Sequence, residues 1–244
     1  MTAHRFGASG GEPCTQTSSS HSVSVTARNI NRRNKNGVSG RHRLLARGAK
    51  PNARIAANDP RGPDGTPFTM KDATPFFLAA VSGDAALMRL LGAGGADPRL
   101  TAENDVTPLI AAARSACTGS CEFKASGANL ELDPATEHAA LEAVKVAVEF
   151  GADVRAADQD GYTALHMAAF TGAASIVKLL VDRGASVDAR NTLGETPWSM
   201  AAGMSPVLRY RGQYGSHEST AKLLLSLGAK PFTQDELDAR AAAR

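Results

Sequence analysis

Residues 161–172 read GYTALHMAAFTG. A threonine, a histidine and a pair of alanines stand there between two glycines. Such a phrase is either a chemical site built around His166 or a structural unit that recurs, and recurrence decides the matter. ATPFFLAAVSG from Ala73, VTPLIAAARSA from Val106 and ETPWSMAAGMS from Glu195 lie over it. Their threonines, Thr74, Thr107, Thr163 and Thr196, are separated by 33, 56 and 33 residues. A second phrase follows each: LLGAGGADP (90–98), VAVEFGADV (146–154), LLVDRGASV (179–187) and LLLSLGAKP (223–231). Its glycines, Gly95, Gly151, Gly184 and Gly228, are spaced 56, 33 and 44 apart, so the period is 33 with insertions of 23 and 11 residues.

Each unit is physically coherent. The threonine can cap a helix, with Pro75, Pro108 or Pro197 at the first position, where a missing N–H costs nothing. Paired alanines let that short helix approach its neighbours closely. A second helix carries apolar residues at helical spacing, for example Ile176, Val177, Leu179 and Leu180, and Gly184 supplies the left-handed residue that ends it. Turn sequences such as DQDG (158–161) and NTLG (191–194) separate the units, with Asp72 and Asp105 taking the turn position of the glycines. One helix pair cannot bury its own apolar face; stacked copies can.

The chain has 244 residues, 5% aromatic, which suits packed helices more than a sheet-rich core. The net charge of +3 is unevenly divided: residues 1–60 hold ten Lys/Arg against two Asp/Glu, and the remainder seventeen against twenty-two. No apolar run is long enough to span a membrane as a helix, and the start of the chain lacks the apolar stretch of a signal peptide. With three cysteines (Cys14, Cys117 and Cys121) the chain is not a disulfide scaffold. The expected compartment is cytoplasmic if Met1 is the true start.

The T-P-L-H-x-A-A phrase, the LL-x-x-G-A-D phrase and the 33-residue beat resemble ankyrin repeats over roughly 73–232. A partial match stands upstream in LLARGAKPNA (44–53). The resemblance implies an all-α solenoid of stacked helix-turn-helix units, with β-turn or hairpin fingers and first helices lining a concave face. The expected organisation is a disordered basic segment, rich in Ser and Asn, at 1–40, then an array over 41–232. Within it lie a partial unit at 41–53 and units at about 73–105, 106–161, 162–194 and 195–232. Insertions at 116–137 and 204–217 interrupt the second and fourth of these. Thr233 and Glu236 match a capping box opening a short helix over 233–244. In this family the histidine of the phrase is structural, so His166 is expected to be scaffold.

The remaining candidates divide between chemistry and binding. Cys117 and Cys121 form C-x3-C with only Glu137 and His138 nearby as further metal ligands; a local disulfide in an oxidising compartment and two free loop thiols are the other readings, the last the expected one, and no metal, cofactor or catalytic group is expected. The family's variable positions map to Glu103, Asn104, Val106, Gln159, Asp160, Tyr162, Thr192, Leu193 and Glu195 on the fingers, and to Leu78, Val81, Met167, Phe170 and Met200 on first helices. Met167, Phe170 and Leu193 are apolar where water is expected, which points to a binding patch or to packing of these large side chains against the next unit. Arg209, Tyr210 and Tyr214 in the second insertion are of the types that anchor interfaces, although they can equally fold back on the array. Arg28, Arg32, Arg33 and Lys35 could hold phosphates, but no aromatic residue interleaves them for base stacking. The expected function is therefore a non-enzymatic, monomeric module that binds a partner protein through Asn104, Gln159, Asp160, Tyr162, Met167, Phe170, Leu193, Arg209, Tyr210 and Tyr214. The competing expectation is an accessory part, or a fragment, of a larger enzyme or secreted protein.

Overall fold

The computed structural model describes residues 48–56, 71–116, 132–204, 216–233 and 235–236. Eight α-helices lie in these stretches: α1 (Pro75–Val81), α2 (Ala85–Ala93), α3 (Pro108–Ser115), α4 (Pro134–Glu149), α5 (Ala164–Thr171), α6 (Ala174–Asp182), α7 (Pro197–Ala201) and α8 (Glu218–Ser226). Odd-numbered helices pack against one another in sequence, even-numbered helices do the same, and each odd helix also packs on the even helix that follows it. The result is two helical layers, four units deep. No strand occurs among the described residues; one isolated antiparallel bridge joins Ala157 to Thr163.

The threonines start the first helices as their spacing predicts. The Thr74, Thr107, Thr163 and Thr196 side chains accept from the N–H groups of Phe77, Ile110, His166 and Ser199, each satisfying a donor that the helix itself leaves unpaired. The alanine pairs 79–80, 112–113 and 168–169 are buried, and their small volume sets the close spacing of the first-helix layer. Leu109, Leu165, Ile176, Leu180 and Leu224 fill the space between the layers. The second helices end alike: Gly95, Gly151, Gly184 and Gly228 have φ between 87° and 96°, and Gly48 has the same left-handed conformation (φ 82°).

Four residues after Gly48, Gly95, Gly151 and Gly184 stands a side chain that grips the next unit. Asn52 donates from Nδ2 to the Gly95 carbonyl (3.2 Å) and accepts from Asp97 N–H (2.8 Å). Arg99 donates to Gly151 O (3.4 Å) and Arg155 to Gly184 O (2.9 Å). Asp188 accepts from Lys230 N–H (2.9 Å). Different residue types thus perform one task, joining helix ends that would otherwise need water. The last link continues in Arg190, whose guanidinium lies 5.7 Å from the Phe232 ring and 2.7 Å from Glu236 Oε1. Glu236 in turn accepts from Thr233 N–H (2.9 Å) and donates its own N–H to Thr233 Oγ1 (3.3 Å).

One sequence expectation needs correcting here. The first insertion does not run to 137: α4 begins at Pro134, with Asp133 accepting from Thr136 N–H (2.9 Å). Aspartate followed by proline is a helix start, so the second helix of this unit extends upstream to 16 residues, where α2, α6 and α8 have nine. That extension also removes Glu137 from any metal set. Its Oε1 accepts from Ser175 N–H (3.0 Å) and Oγ (2.6 Å), capping α6, whose own N-cap residue, Ala173, has no side chain to do so. The segments 1–40 and 41–47, the two cysteines of the first insertion and most of the second insertion lie outside the described residues.

Glycine is required inside α2 for reasons of space. A Cβ on Gly92 would sit 2.5 Å from Phe150 Cε1, and that ring is already held edge-on to Phe76 at 6.4 Å. Glycine to alanine in a helix interior normally stabilises by about 1 kcal/mol. Here Gly92→Ala is expected to destabilise by about 1–3 kcal/mol through overpacking. Adding Phe150→Leu is expected to recover part of the loss, and urea midpoints of the single and double variants measure both.

Candidate functional site

The fingers between units are tied into a ladder. Glu103 N–H donates to Lys71 O (3.1 Å), Gln159 N–H to Asn104 O (3.0 Å) and Thr192 N–H to Asp160 O (2.9 Å). Each acceptor directly precedes a residue with positive φ: Asp72 (61°), Asp105 (58°) and Gly161 (81°). The turn position therefore holds a left-handed residue whether aspartate or glycine occupies it, and Asn104 shares that conformation (φ 62°). These bonds fix the tips in register.

On this ladder the structure brings Asn104, Gln159, Asp160 and Leu193 together as exposed tips, Leu193 retaining 50% of its accessible surface. Gln159 Nε2 reaches Asp105 Oδ2 at 3.4 Å. Tyr162, Met167 and Phe170 are half-buried, and Met167 and Phe170, three apart on α5, share a helix face. Val106, Glu195 and Met200 do not belong to the surface expected for them; they are buried. Tyr162 of the preceding unit lies against Glu195, and one sequence does not reveal that. Arg209, Tyr210 and Tyr214 lie outside the described residues.

Beneath the tips is a polar cluster. His166 is fully buried, with both ring nitrogens engaged. Thr163 N–H and hydroxyl converge on Nδ1 (3.1 and 2.9 Å), and Nε2 lies 3.2 Å from Glu195 O. An N–H can only donate, so Nδ1 is the acceptor and Nε2 carries the proton that links this unit to the next. The unit containing α7 has Ser199 in the same slot, where its Oγ accepts from Thr196 N–H (2.9 Å). Tyr162 lies edge-on to His166 with ring centroids 5.9 Å apart. Its hydroxyl donates to Glu195 Oε2 (3.1 Å), which also accepts from Asn191 Nδ2 (2.8 Å). Asn191 Oδ1 in turn accepts from the N–H groups of Leu193 (3.0 Å) and Glu195 (2.8 Å). Sequence reasoning missed this network, because a charged residue within a turn ordinarily reads as solvated.

Burial governs the titration of the cluster. Desolvation holds the His166 imidazole below its ordinary pKa, against the opposing pull of the Glu195 carbonyl and charge. Desolvation, followed by the nearby Glu195 carboxylate, pushes the Tyr162 phenol well above its ordinary range. Asp158 is raised by burial despite accepting from Tyr162 and Asp160 N–H groups. A histidine with a depressed folded pKa stabilises the fold above its unfolded pKa of about 6.5, and that contribution is lost as pH falls below it. The wild-type chain is therefore expected to lose stability relative to His166→Ser as pH falls from 6.5 toward 5, with parallel curves above 7. Urea melts across that range read the difference. Asp158, whose linkage has the opposite sign, is common to both chains and cancels.

Among the described residues, no three His, Cys, Asp or Glu side chains come together as metal ligands, and no helix is long and apolar enough to cross a membrane. A family model described as ankyrin repeats (3 copies) matches residues 134–235. Residues 134–235 are ankyrin repeats. The zebrafish (Danio rerio) Notch-regulated ankyrin repeat-containing protein B is 43% identical over 67 residues, 26% of this chain and 60% of that protein. Protein phosphatase 1 regulatory subunit 27 of Mus musculus is 42% identical over 57 residues, 23% of this chain and 37% of its own length. Serine/threonine-protein kinase 12 of Arabidopsis thaliana is 41% identical over 61 residues, which is 25% of this chain and 13% of the kinase. The chain thus spans less than two thirds of each of these relatives. Ankyrin repeats bind protein partners generally, and α1–α3 with their finger extend the same helix-pair geometry upstream of the matched stretch.

Proposed function

We propose that this ankyrin array is a non-enzymatic module that binds a partner protein on its finger and first-helix side, which the family places on the concave face. The observation that carries this reading is the finger ladder. Three inter-unit backbone bonds hold Asn104, Gln159, Asp160 and Leu193 in fixed register. A surface that is already ordered loses little conformational freedom when it binds. Met167 and Phe170 on α5 add half-exposed apolar area beside those tips, and Tyr162 supplies an aromatic residue of the kind that dominates interface energetics. The insertion residues Arg209, Tyr210 and Tyr214 are assigned to the same interface by residue type. The reading takes the array as monomeric. It gives nucleic acid no role on this side, because carboxylates outnumber cations there.

The test is capture of a partner on the immobilised chain, its identification by mass spectrometry, and titration of the purified partner. Met167→Ala, Phe170→Ala and Leu193→Ala combined are expected to weaken binding by about tenfold or more, as for truncation of interface anchors. Undiminished affinity rejects this surface. The accessory-domain reading is favoured by one observation, the match to 13% of a kinase whose remaining length lies outside the alignment. A coding extension upstream of Met1 that encodes a catalytic domain supports it.

A further inference from the structure

Among the described residues, the Glu195 carboxylate holds the buried side-chain oxygen that lacks a hydrogen-bond partner. Its residue is fully buried, Oε2 accepts two hydrogen bonds, and Oε1 has no partner. A buried carboxylate oxygen without a donor is a standing free-energy deficit, and an approaching cation is the group that relieves it most. The two side chains bonded to this carboxylate are Asn191, which is buried, and Tyr162, which is half-exposed. Of the two, Tyr162 is the one that reaches the surface. Asp160 stands exposed at the tip of the same finger, close enough for its charge to act on the Tyr162 hydroxyl.

The surrounding charge is mostly negative. The fingers and first helices over 71–81, 102–116, 157–171 and 191–204 contain six carboxylates (Asp72, Glu103, Asp105, Asp158, Asp160 and Glu195) against Lys71 and Arg114, and Lys71 already pairs with Glu103 at 3.6 Å. Arg190, at the base of the last finger, is held by Glu236. We propose that Glu195, Tyr162 and Asp160 form a pocket for a lysine or arginine side chain carried by a basic segment of the partner protein. The cation pairs with Glu195 Oε1, Asp160 flanks it, and the Tyr162 ring swings out to stack on it, an arrangement that favours a guanidinium or ammonium group. This inference rests on the finger and first-helix side being the binding surface, and it adds the chemistry of the occupant.

The probe is a fluorescein-labelled octa-arginine peptide titrated into the full chain by anisotropy, with octa-glutamate as the control. Octa-arginine is expected to bind and octa-glutamate not to. Glu195→Gln is expected to weaken octa-arginine about tenfold, and Asp160→Asn about threefold, as for a buried and a rim charge respectively. Tyr162→Phe removes the hydroxyl that occupies Oε2 while keeping the ring, so it is expected to tighten binding. A merely structural role for Tyr162 would not produce that gain. Binding of octa-arginine that Glu195→Gln, Asp160→Asn and Tyr162→Phe all leave within twofold overturns the pocket, as does equal binding of octa-glutamate. Should Glu195→Gln prove unfolded by circular dichroism, the opposite signs expected for Asp160→Asn and Tyr162→Phe decide. If those variants are silent while the Met167, Phe170 and Leu193 changes still weaken the identified partner, the pocket is wrong and the surface stands.

Discussion

His166→Ala is expected to destabilise the array by about 3–5 kcal/mol, without any change in a chemical activity. The substitution leaves the buried Thr163 N–H without its partner, at about 1–3 kcal/mol, takes from Glu195 C=O one of its two donors, Asn191 N–H remaining, and opens a cavity where an imidazole was fully enclosed. Serine at the same position separates these effects. Ser199 shows that a hydroxyl in this slot can serve the N-cap N–H of its own helix, so His166→Ser should keep the local bond and lose the link to Glu195 O. Urea denaturation of wild type, H166S and H166A is expected to rank them in that order. A loss below about 1 kcal/mol for H166A would mean that the imidazole is not the strut between units.

Gly161→Ala is the second large effect, expected at about 2–4 kcal/mol. Two penalties coincide at Gly161. Its φ of 81° is a left-handed conformation that a Cβ disfavours by about 1–2 kcal/mol. An added Cβ would also lie 2.9 Å from Asn191 Cα and 3.2 Å from Thr192 N, backbone atoms of the next finger that cannot rotate away. Gly194 is the internal control: its φ is 68°, yet nothing lies within 4 Å of its Cβ position. Gly194→Ala should therefore show the conformational penalty alone, about 1–2 kcal/mol. The difference between the two variants measures the contact between fingers, and equal losses would show that the ladder yields without resistance.

Much of the fold is legible in one sequence because each unit repeats the same local solution. Threonine caps, proline at the first helical position, small residues where helices touch and a left-handed residue at each helix end are local requirements, and all recur at a countable interval. The reading of Asp72 and Asp105 as turn residues equivalent to glycine rests on the same logic, and both have positive φ. The upstream extent of α4 was also available in the Asp133–Pro134 pair, but a long interval between phrases draws attention as a loop. The site is less legible. Asn104, Gln159, Asp160 and Leu193 are exposed tips, as their turn positions suggest, whereas Val106, Glu195 and Met200 occupy comparable register positions and are buried.

The amino-acid sequence alone determined that this chain is an array, how its first helices start, and that His166 serves the scaffold, because these follow from interactions between residues a few positions apart. Only the tertiary structure decided which side chains bridge units: Arg155 to Gly184, Glu137 to Ser175, and the enclosure of Glu195 beneath Tyr162. Those partners lie about one repeat apart in the chain, and periodicity brings them near one another without stating which rotamer, bond or burial results. A carboxylate in a turn is solvated or enclosed according to whether the neighbouring finger carries a side chain long enough to cover it. That property belongs to the pair of units, and neither unit carries it alone.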